Sequence, residues 1–484
     1  MRLPHFATLL VGFLAAVPSV SRPQSPATRR ARELVALIDS GTPSAIRAYV
    51  DTAMSAELKR LPAEAHINFM LGQRDQSRGL QWVEVQEEAP GSAIVLLRRK
   101  LTGDLTALEV HVEDAAPYRL AGLGPRPPRP KPGTAPAPRL ASDAEMVAAI
   151  QRYVETLAKA DVFSGAVLLA KDGKPLYAAA FGEANKDFHA PNTIDTKFNL
   201  GSMNKMFTAT AVSQLVEQGK LSYDDTLAKY LPDVPNPAAA KKIRIENLLT
   251  HTSGLGSFFN DEWDKSSRAL YRTVDDWMPI VRHDSLAFEP GTRWSYSNTG
   301  MLVAGKVVEV VAKQDYFDYV RAHIYQPAGM TRTDAYELDR VNPNLAVGYD
   351  KRFEGDGTMQ FRNNIFQHVI RGGPAGGGYS TVGDLVRFAE ALKAGKLVSP
   401  QTYELMTTPK PAVHSPRYGY GFGVDPETGI VGHSGGFPGI SSNLDIFKGT
   451  PYVAVVMSNY SNGSQPVAEK MRELVLSRLG KARP

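Results

Sequence analysis

Seven prolines fall between Gly124 and Leu140, in GPRPPRPKPGTAPAPRL. Proline lacks the backbone donor and fixes φ, so this stretch can be neither a helix nor an inner strand. It reads as an extended, semi-rigid polyproline spacer at 124–140. The spacer divides the 484 residues into a small unit at 27–123 and a larger one at 141–484, each of which must bury a core of its own.

The first residues, MRLPHFATLLVGFLAAVPSVSRPQS, place Arg2 before an apolar run from Phe6 to Val17 and small residues at Ser19 and Ser21. That is the pattern of a secretory signal peptide at 1–21, cut near Ser21. It implies a secreted or periplasmic protein, or one tethered to the membrane if the run is left uncut. An exported chain can form disulfides, yet this one has no cysteine, so its stability must come from buried apolar area. The same absence excludes thiol catalysis, a cysteine zinc site and an iron–sulfur cluster. The ten histidines show no H-E-x-x-H or other close pairing, so neither a metal nor another cofactor is expected. Net charge is +5, from 55 basic and 50 acidic residues. Much of the excess is dispersed, at Arg22, Arg29 and Arg30 and at Arg126, Arg129, Lys131 and Arg139. Nucleic-acid binding needs a concentrated basic face, which this is not.

Between the signal pattern and the spacer the spacing predicts two amphipathic helices over Ala27 to Met54, the second capped by Ser44. A third follows over 56–71, kinked near Pro62. After Gly79 the pattern changes to the short β-rich runs LQWVEV, SAIVLLRRKL, LTALEVHV and YRLAGL. Helices followed by strands make a small α+β unit, whose element order resembles the cone-shaped fold named after nuclear transport factor 2. Strand alternation puts Arg98, His111 and Glu113 on its solvated side, so the unit is expected to orient the protein or let it self-associate.

In the larger unit Ser142 caps a helix, and two strands are joined at Asp172-Gly173, a pair suited to a type I′ turn. A helical middle and further strands near the C-terminus imply one antiparallel sheet built from both ends of the domain. Within the middle, FNLGSMNKMFTATAVSQLVEQGK contains the chain's one Ser-x-x-Lys, with Ser202 at a helix start and Lys205 one turn on. Met203, Phe207, Ala211, Val212, Leu215 and Val216 recur at helical spacing, and Gly219 stands at the C′ position. Ser202 is thus a candidate nucleophile beside an amine base, with backbone N–H groups free to meet an oxyanion.

Two further motifs follow. Tyr296-Ser297-Asn298 precedes a helix at 300–311; a phenol can relay a proton, and an amide can both donate and accept. His433-Ser434-Gly435-Gly436 lies on a strand of small residues along which an extended substrate can pair, and Gly436 can offer a second oxyanion N–H. A second Tyr-Ser-Asn, at Tyr460-Ser461-Asn462, follows the last strand directly and reads as its turn.

The order SMNK, YSN, HSGG, at separations of about a hundred residues or more, resembles that of the serine β-lactamases and penicillin-binding proteins. Tyr296 places the chain nearer the class C β-lactamases and their DD-carboxypeptidase, D-aminopeptidase and esterase relatives. LLTHTSGL, PGTRWSYSNTGM and PAGGGYSTVGDLVRF look like that family's connecting segments, and the resemblance covers about Ala144 to Leu479. It implies an α+β fold, an antiparallel sheet flanked by helices plus an all-helical lobe. It also implies a serine hydrolase that forms an acyl-enzyme on a peptide, ester or β-lactam carbonyl. Ser202, Lys205 and Tyr296 would be catalytic, with Asn298, His433, Ser434 and Gly435 on the substrate and the N–H groups of Ser202 and Gly436 on the oxyanion. The base is either a neutral Lys205 or a Tyr296 phenolate. The two states differ only in where one proton sits.

One departure bears on substrate. The β-lactamases proper usually carry lysine where this chain has His433, and a largely neutral imidazole holds a β-lactam carboxylate less well. Turnover of β-lactams is therefore the lesser expectation, with acylation by penicillins, as in a sensor, still open. Phe258, Phe259, Trp263, Trp277, Phe353 and Phe361 lie in segments that would shape the pocket, although they serve equally well as core.

Overall fold

A computed structural model describes residues 24–129, 139–282 and 284–481. The signal pattern at 1–21 and most of the spacer, 130–138, lie outside the described residues. The rest forms two compact units: 24–70 with 78–129, and 71–77 with the residues from 139 onward.

Residues 24–129 run three helices and then four strands. The helices are α1 (Pro26–Ser40), α2 (Pro43–Ala53) and α3 (Ala63–Ser77). The strands β1 (Leu80–Ala89), β2 (Ser92–Arg99), β3 (Leu105–Val112) and β4 (Leu120–Arg126) form an antiparallel sheet in that order. Thr42, not Ser44, caps α2: its hydroxyl accepts the Ala45 N–H, and Pro43 takes the first helical position, where its missing donor costs nothing. Pro62 does not kink a helix either; it separates a single 3-10 turn at Leu58–Arg60 from α3. Pro125 belongs to β4, opposite Leu108, and is tolerated because β4 is an edge strand. The unit consequently reaches Arg129, beyond the expected boundary at 123.

The second unit opens with α4 (Asp143–Lys159), whose cap Ser142 accepts the Glu145 N–H at 3.2 Å. β5 (Gly165–Lys171) and β6 (Lys174–Phe181) form the expected hairpin. Asp172 and Gly173 both have positive φ, +50° and +71°, as a type I′ turn requires. The helical part includes α5 (Asn204–Glu217) and α6 (Asn298–Ala312). β7 (Tyr349–Phe353) and β8 (Met359–Asn363) form a separate two-stranded hairpin that packs against Tyr460, just after the last strand of the main sheet. After α7 (Val382–Lys393) come β9 (Gly423–Asp425), β10 (Ile430–Phe437), β11 (Ile440–Phe447), β12 (Tyr452–Ser458) and α8 (Ser464–Leu479). The sheet order is β9-β10-β11-β12-β5-β6, antiparallel throughout. Strands from both ends of the domain therefore meet at β12 and β5.

α5 is buried on every side from Asn204 to Leu215, not on one stripe. Several of its polar groups are met by the chain around it: Thr208 donates to Pro374 O at 2.7 Å, and Gln214 Nε2 donates to His323 O and Leu397 O at 2.9 Å, although Gln214 Oε1 has no partner among the described residues. The helix stops at Gly219, φ +68°. The Gly219 N–H meets Val216 O at 2.9 Å and the Lys220 N–H meets Leu215 O at 3.0 Å, the two bonds of a Schellman motif.

Candidate active site

Ser202 sits on a 3-10 turn, Gly201–Met203, that runs directly into α5. Three neighbours fix this turn. The Leu200 N–H donates to Gly378 O at 2.7 Å, the Gly377 N–H to Gly201 O at 3.2 Å, and the Gly201 N–H to Asn199 Oδ1 at 2.8 Å. Gly201 has φ +50°, and a Cβ there would stand 2.9 Å from the Gly436 nitrogen. Only glycine brings the serine turn this close to β10.

Lys205, in the first turn of α5, has no solvent exposure. Its Nζ donates to Ala375 O at 2.6 Å and to Asn298 Oδ1 at 2.9 Å, and it lies 4.9 Å from the centre of the Tyr296 ring. Burial without any carboxylate partner holds the amine well below the usual lysine range. A neutral amine has two N–H bonds and one lone pair. With both N–H groups spent on carbonyl oxygens, the lone pair is left to take a proton. Burial acts oppositely on Tyr296, whose hydroxyl is hydrogen-bonded to Ser202 and is pushed up to about 12. Burial thus pushes both groups toward their neutral forms.

Asn298 is the first residue of α6, where Ser297 caps the helix by accepting the Gly300 N–H at 2.8 Å. Its Oδ1 faces Lys205 while its Nδ2 donates to Ser257 Oγ at 3.1 Å. His433 pairs with Tyr418 Oη at 2.8 Å, and burial, together with the nearby Lys205, lowers its imidazole to about 3.

The third motif divides between two faces, and His433 lines a cavity other than the Ser202 cleft, although its ring lies 6.4 Å from that of Tyr296. β9 pairs only with Ile430–Gly432, so the edge of β10 from His433 to Phe437 is unpaired. Gly436 lines the same cleft as Ser202, and a Cβ there would meet nothing within 4 Å. Gly435 instead packs the strand: a Cβ would collide with Leu200 O and the Ser442 hydroxyl. Ser434 is exposed and lines a different cavity with Arg417 and Arg472. A substrate role for the Ser434 and Gly435 side-chain positions therefore does not follow from the geometry.

The cleft over Ser202 has a volume of about 210 Å³. Tyr296, Asn298, Gly376 and Gly377 line it with the aromatics Phe258, Phe259, Trp263 and Trp277. Phe361 does not; it packs on Tyr460 in the β7–β8 hairpin, to which Phe353 also belongs. The second Tyr-Ser-Asn is structural: Tyr460 donates to Asp161 Oδ1 at 2.7 Å and Ser461 to Asp350 Oδ1 at 2.8 Å.

Two residues not singled out in the sequence complete the site. His251, fully buried and with φ +60°, accepts the Ser297 N–H at 3.1 Å. Its ring lies 4.3 Å from that of Tyr296 and 4.6 Å from that of Tyr418. His251, Tyr296, Tyr418 and His433 thus form a closed ring cluster linking the second motif to the third. The phrase LLTHTSGL marks the segment, but nothing in it shows which loop the imidazole would hold. Among the described residues no group of three or more His, Cys, Asp or Glu could hold a metal, and no helix is long and apolar enough to cross a membrane.

The beta-lactamase family model matches residues 146–477. Penicillin-binding protein 4* of Bacillus subtilis (strain 168) is 32% identical over 316 residues, 61% of this chain and 68% of that protein. The teichoic acid D-alanine hydrolase of Staphylococcus aureus is 26% identical over 317 residues, 65% of this chain and 74% of that one. The crystal structure of a penicillin-binding protein from Bacillus halodurans superposes with a TM-score of 0.61 at 31% identity, covering 66% of this chain and 99% of that one. The chain belongs to the beta-lactamase family, and its fold and type are those of a serine hydrolase.

Proposed function

We propose that the protein cleaves D-amino-acid-type amide or ester carbonyls through an acyl-enzyme on Ser202, and that it does so after export to the cell envelope. The observation that carries the reading is the buried Lys205 amine, with both N–H groups engaged by Ala375 O and Asn298 Oδ1. Its lone pair takes the Ser202 proton as Oγ bonds to the carbonyl carbon. The oxyanion forms between the N–H groups of Ser202 and Gly436, each donor contributing about 10² to 10³ in rate. The C–N or C–O bond then breaks, with the Tyr296 phenol relaying the proton to the leaving atom. Water repeats the sequence to free the acyl group and restore Ser202.

The D-amino-acid preference is supported by the name of the S. aureus relative, a D-alanine hydrolase. A neutral His433 offers no fixed cation for a β-lactam carboxylate, which argues for peptides and esters over β-lactams. Export is supported by Arg2, the apolar run Phe6–Val17 and the small residues after it. The test is a panel of a chromogenic cephalosporin, a p-nitrophenyl ester and a D-alanyl-D-alanine peptide, run on wild type and Ser202→Ala. Turnover of the ester or peptide that vanishes in Ser202→Ala supports the proposal. One product equivalent followed by no steady state would replace the enzyme with a sensor. Cell fractionation tests export, which a cytoplasmic full-length product would overturn.

A further inference from the structure

We infer that the Ser202 cleft selects acyl donors bearing a bulky aromatic group and no free charge on the acyl side of the scissile bond. This rests on the acyl-enzyme reading above and narrows its D-amino-acid donors to those whose amine is itself acylated.

The cleft wall is aromatic and rigid. Trp263 and Trp277 stack at 5.3 Å with their planes 13° apart, and Phe258 packs on Trp277 at 4.6 Å. Trp263 is clamped from behind, since the Arg268 guanidinium lies 3.9 Å from its ring centre and donates to Ser266 O at 2.9 Å. Such a wall loses little freedom when it closes on a ligand ring. Phe259 differs from the other three: it is 45% exposed, against 4 or 5% for Phe258, Trp263 and Trp277. It stacks at 5.8 Å on Phe437, the residue after Gly436. The two rings therefore bridge the cleft mouth beside the oxyanion strand, where a substrate ring can stack or slide between them.

The cleft is also uncharged. Among the described residues that line it there is no Asp, Glu, Lys or Arg. Its one histidine, His368, is held below the ordinary imidazole range by burial. Lys205 is fully buried with its amine engaged, and His433 is neutral. A carboxylate or ammonium placed here would give up its water without a counter-charge.

The experiment compares p-nitrophenyl acetate, phenylacetate and hemisuccinate on the wild-type protein, with benzeneboronic and methylboronic acids as inhibitors. The expected kcat/KM for phenylacetate exceeds that for acetate by about tenfold or more, the hemisuccinate is the poorest, and benzeneboronic acid inhibits the more tightly. Phe259→Ala, whose side chain is half exposed, should cut the phenylacetate-to-acetate ratio several-fold. Equal rates on acetate and phenylacetate, with Ser202 acylated by both, would overturn this inference alone. Failure of every ester to acylate Ser202 would overturn the underlying hydrolase reading, and the inference with it.

Discussion

The imidazole of His251 lies 4.3 Å from the ring of Tyr296 and accepts the backbone N–H of the next residue, Ser297, at 3.1 Å. One buried side chain thus sets both the position of the phenol and the start of α6. Replacing it with phenylalanine would keep the ring but leave the Ser297 N–H without an acceptor, at a cost of about 1–3 kcal/mol. Asparagine can place its Oδ1 near the lost Nδ1 and tolerates φ +60°. His251→Asn should therefore be more stable than His251→Phe to urea, while both lose kcat: the asparagine because the stack on Tyr296 is gone, the phenylalanine because the start of α6 beside Tyr296 loses its anchor. Wild-type kcat in either variant would contradict this account.

Gly201→Ala is expected to be far more damaging than its size suggests. Its φ of +50° and the 2.9 Å approach to the Gly436 nitrogen leave no room for a methyl group. The turn and β10 must separate, moving the two oxyanion donors apart. Loss of one such donor is worth about 10² to 10³ in kcat, and steady-state kinetics on a p-nitrophenyl ester reads it directly.

Gly219→Ala provides the contrast. A Cβ at Gly219 would meet nothing within 4 Å, so only the positive φ, +68°, is penalised. The expected cost is about 1–2 kcal/mol of stability, seen as a lower urea midpoint. Esterase activity should stay at the wild-type level.

The pH dependence follows from opposite displacements of two groups. Lys205, held well below the usual lysine range, must be neutral to act, so kcat/KM falls on the acid side as Lys205 gains its proton. Tyr296 titrates at about 12, so no alkaline loss from the phenol is expected up to about pH 10. Stability has its own sign. The folded protein binds fewer protons than the unfolded chain between the lowered Lys205 value and that of free lysine, so stability rises with pH across that window. The slope is about 1.4 kcal/mol per pH unit. Below the window the penalty is constant. Urea unfolding of wild type minus Lys205→Met, measured as a series in pH, should show the rise; a flat difference would mean that Lys205 is charged in the folded state.

Local chemistry was legible in the sequence wherever a few adjacent residues decide the structure. Asp172-Gly173, the cap Ser142 and Gly219 are examples. The β7–β8 hairpin carries a signal of the same kind, Asp356-Gly357 between short alternating runs, but the helical pattern around it outweighs that pair. What depends on distant partners was not legible. Phe258 and Phe361 look alike in the sequence; one faces the cleft and the other packs under Tyr460 only because of where their segments land. Ser434 and Gly436 are two residues apart on β10, yet Gly436 lines the cleft over Ser202 and Ser434 a different cavity. His251 acts on a loop 46 residues further on, and only tertiary contact could show it.

β5, near the start of the hydrolase unit, pairs along its whole length with β12, near its end. A ribosome must therefore make Tyr452–Ser458 before the two halves of the sheet can zip together. Until then β10, with Gly436, has no fixed place beside the turn that carries Ser202. The nascent chain is catalytically silent until translation is nearly complete, and a stop codon before Tyr452 should yield an inactive product even though it encodes every residue of the site.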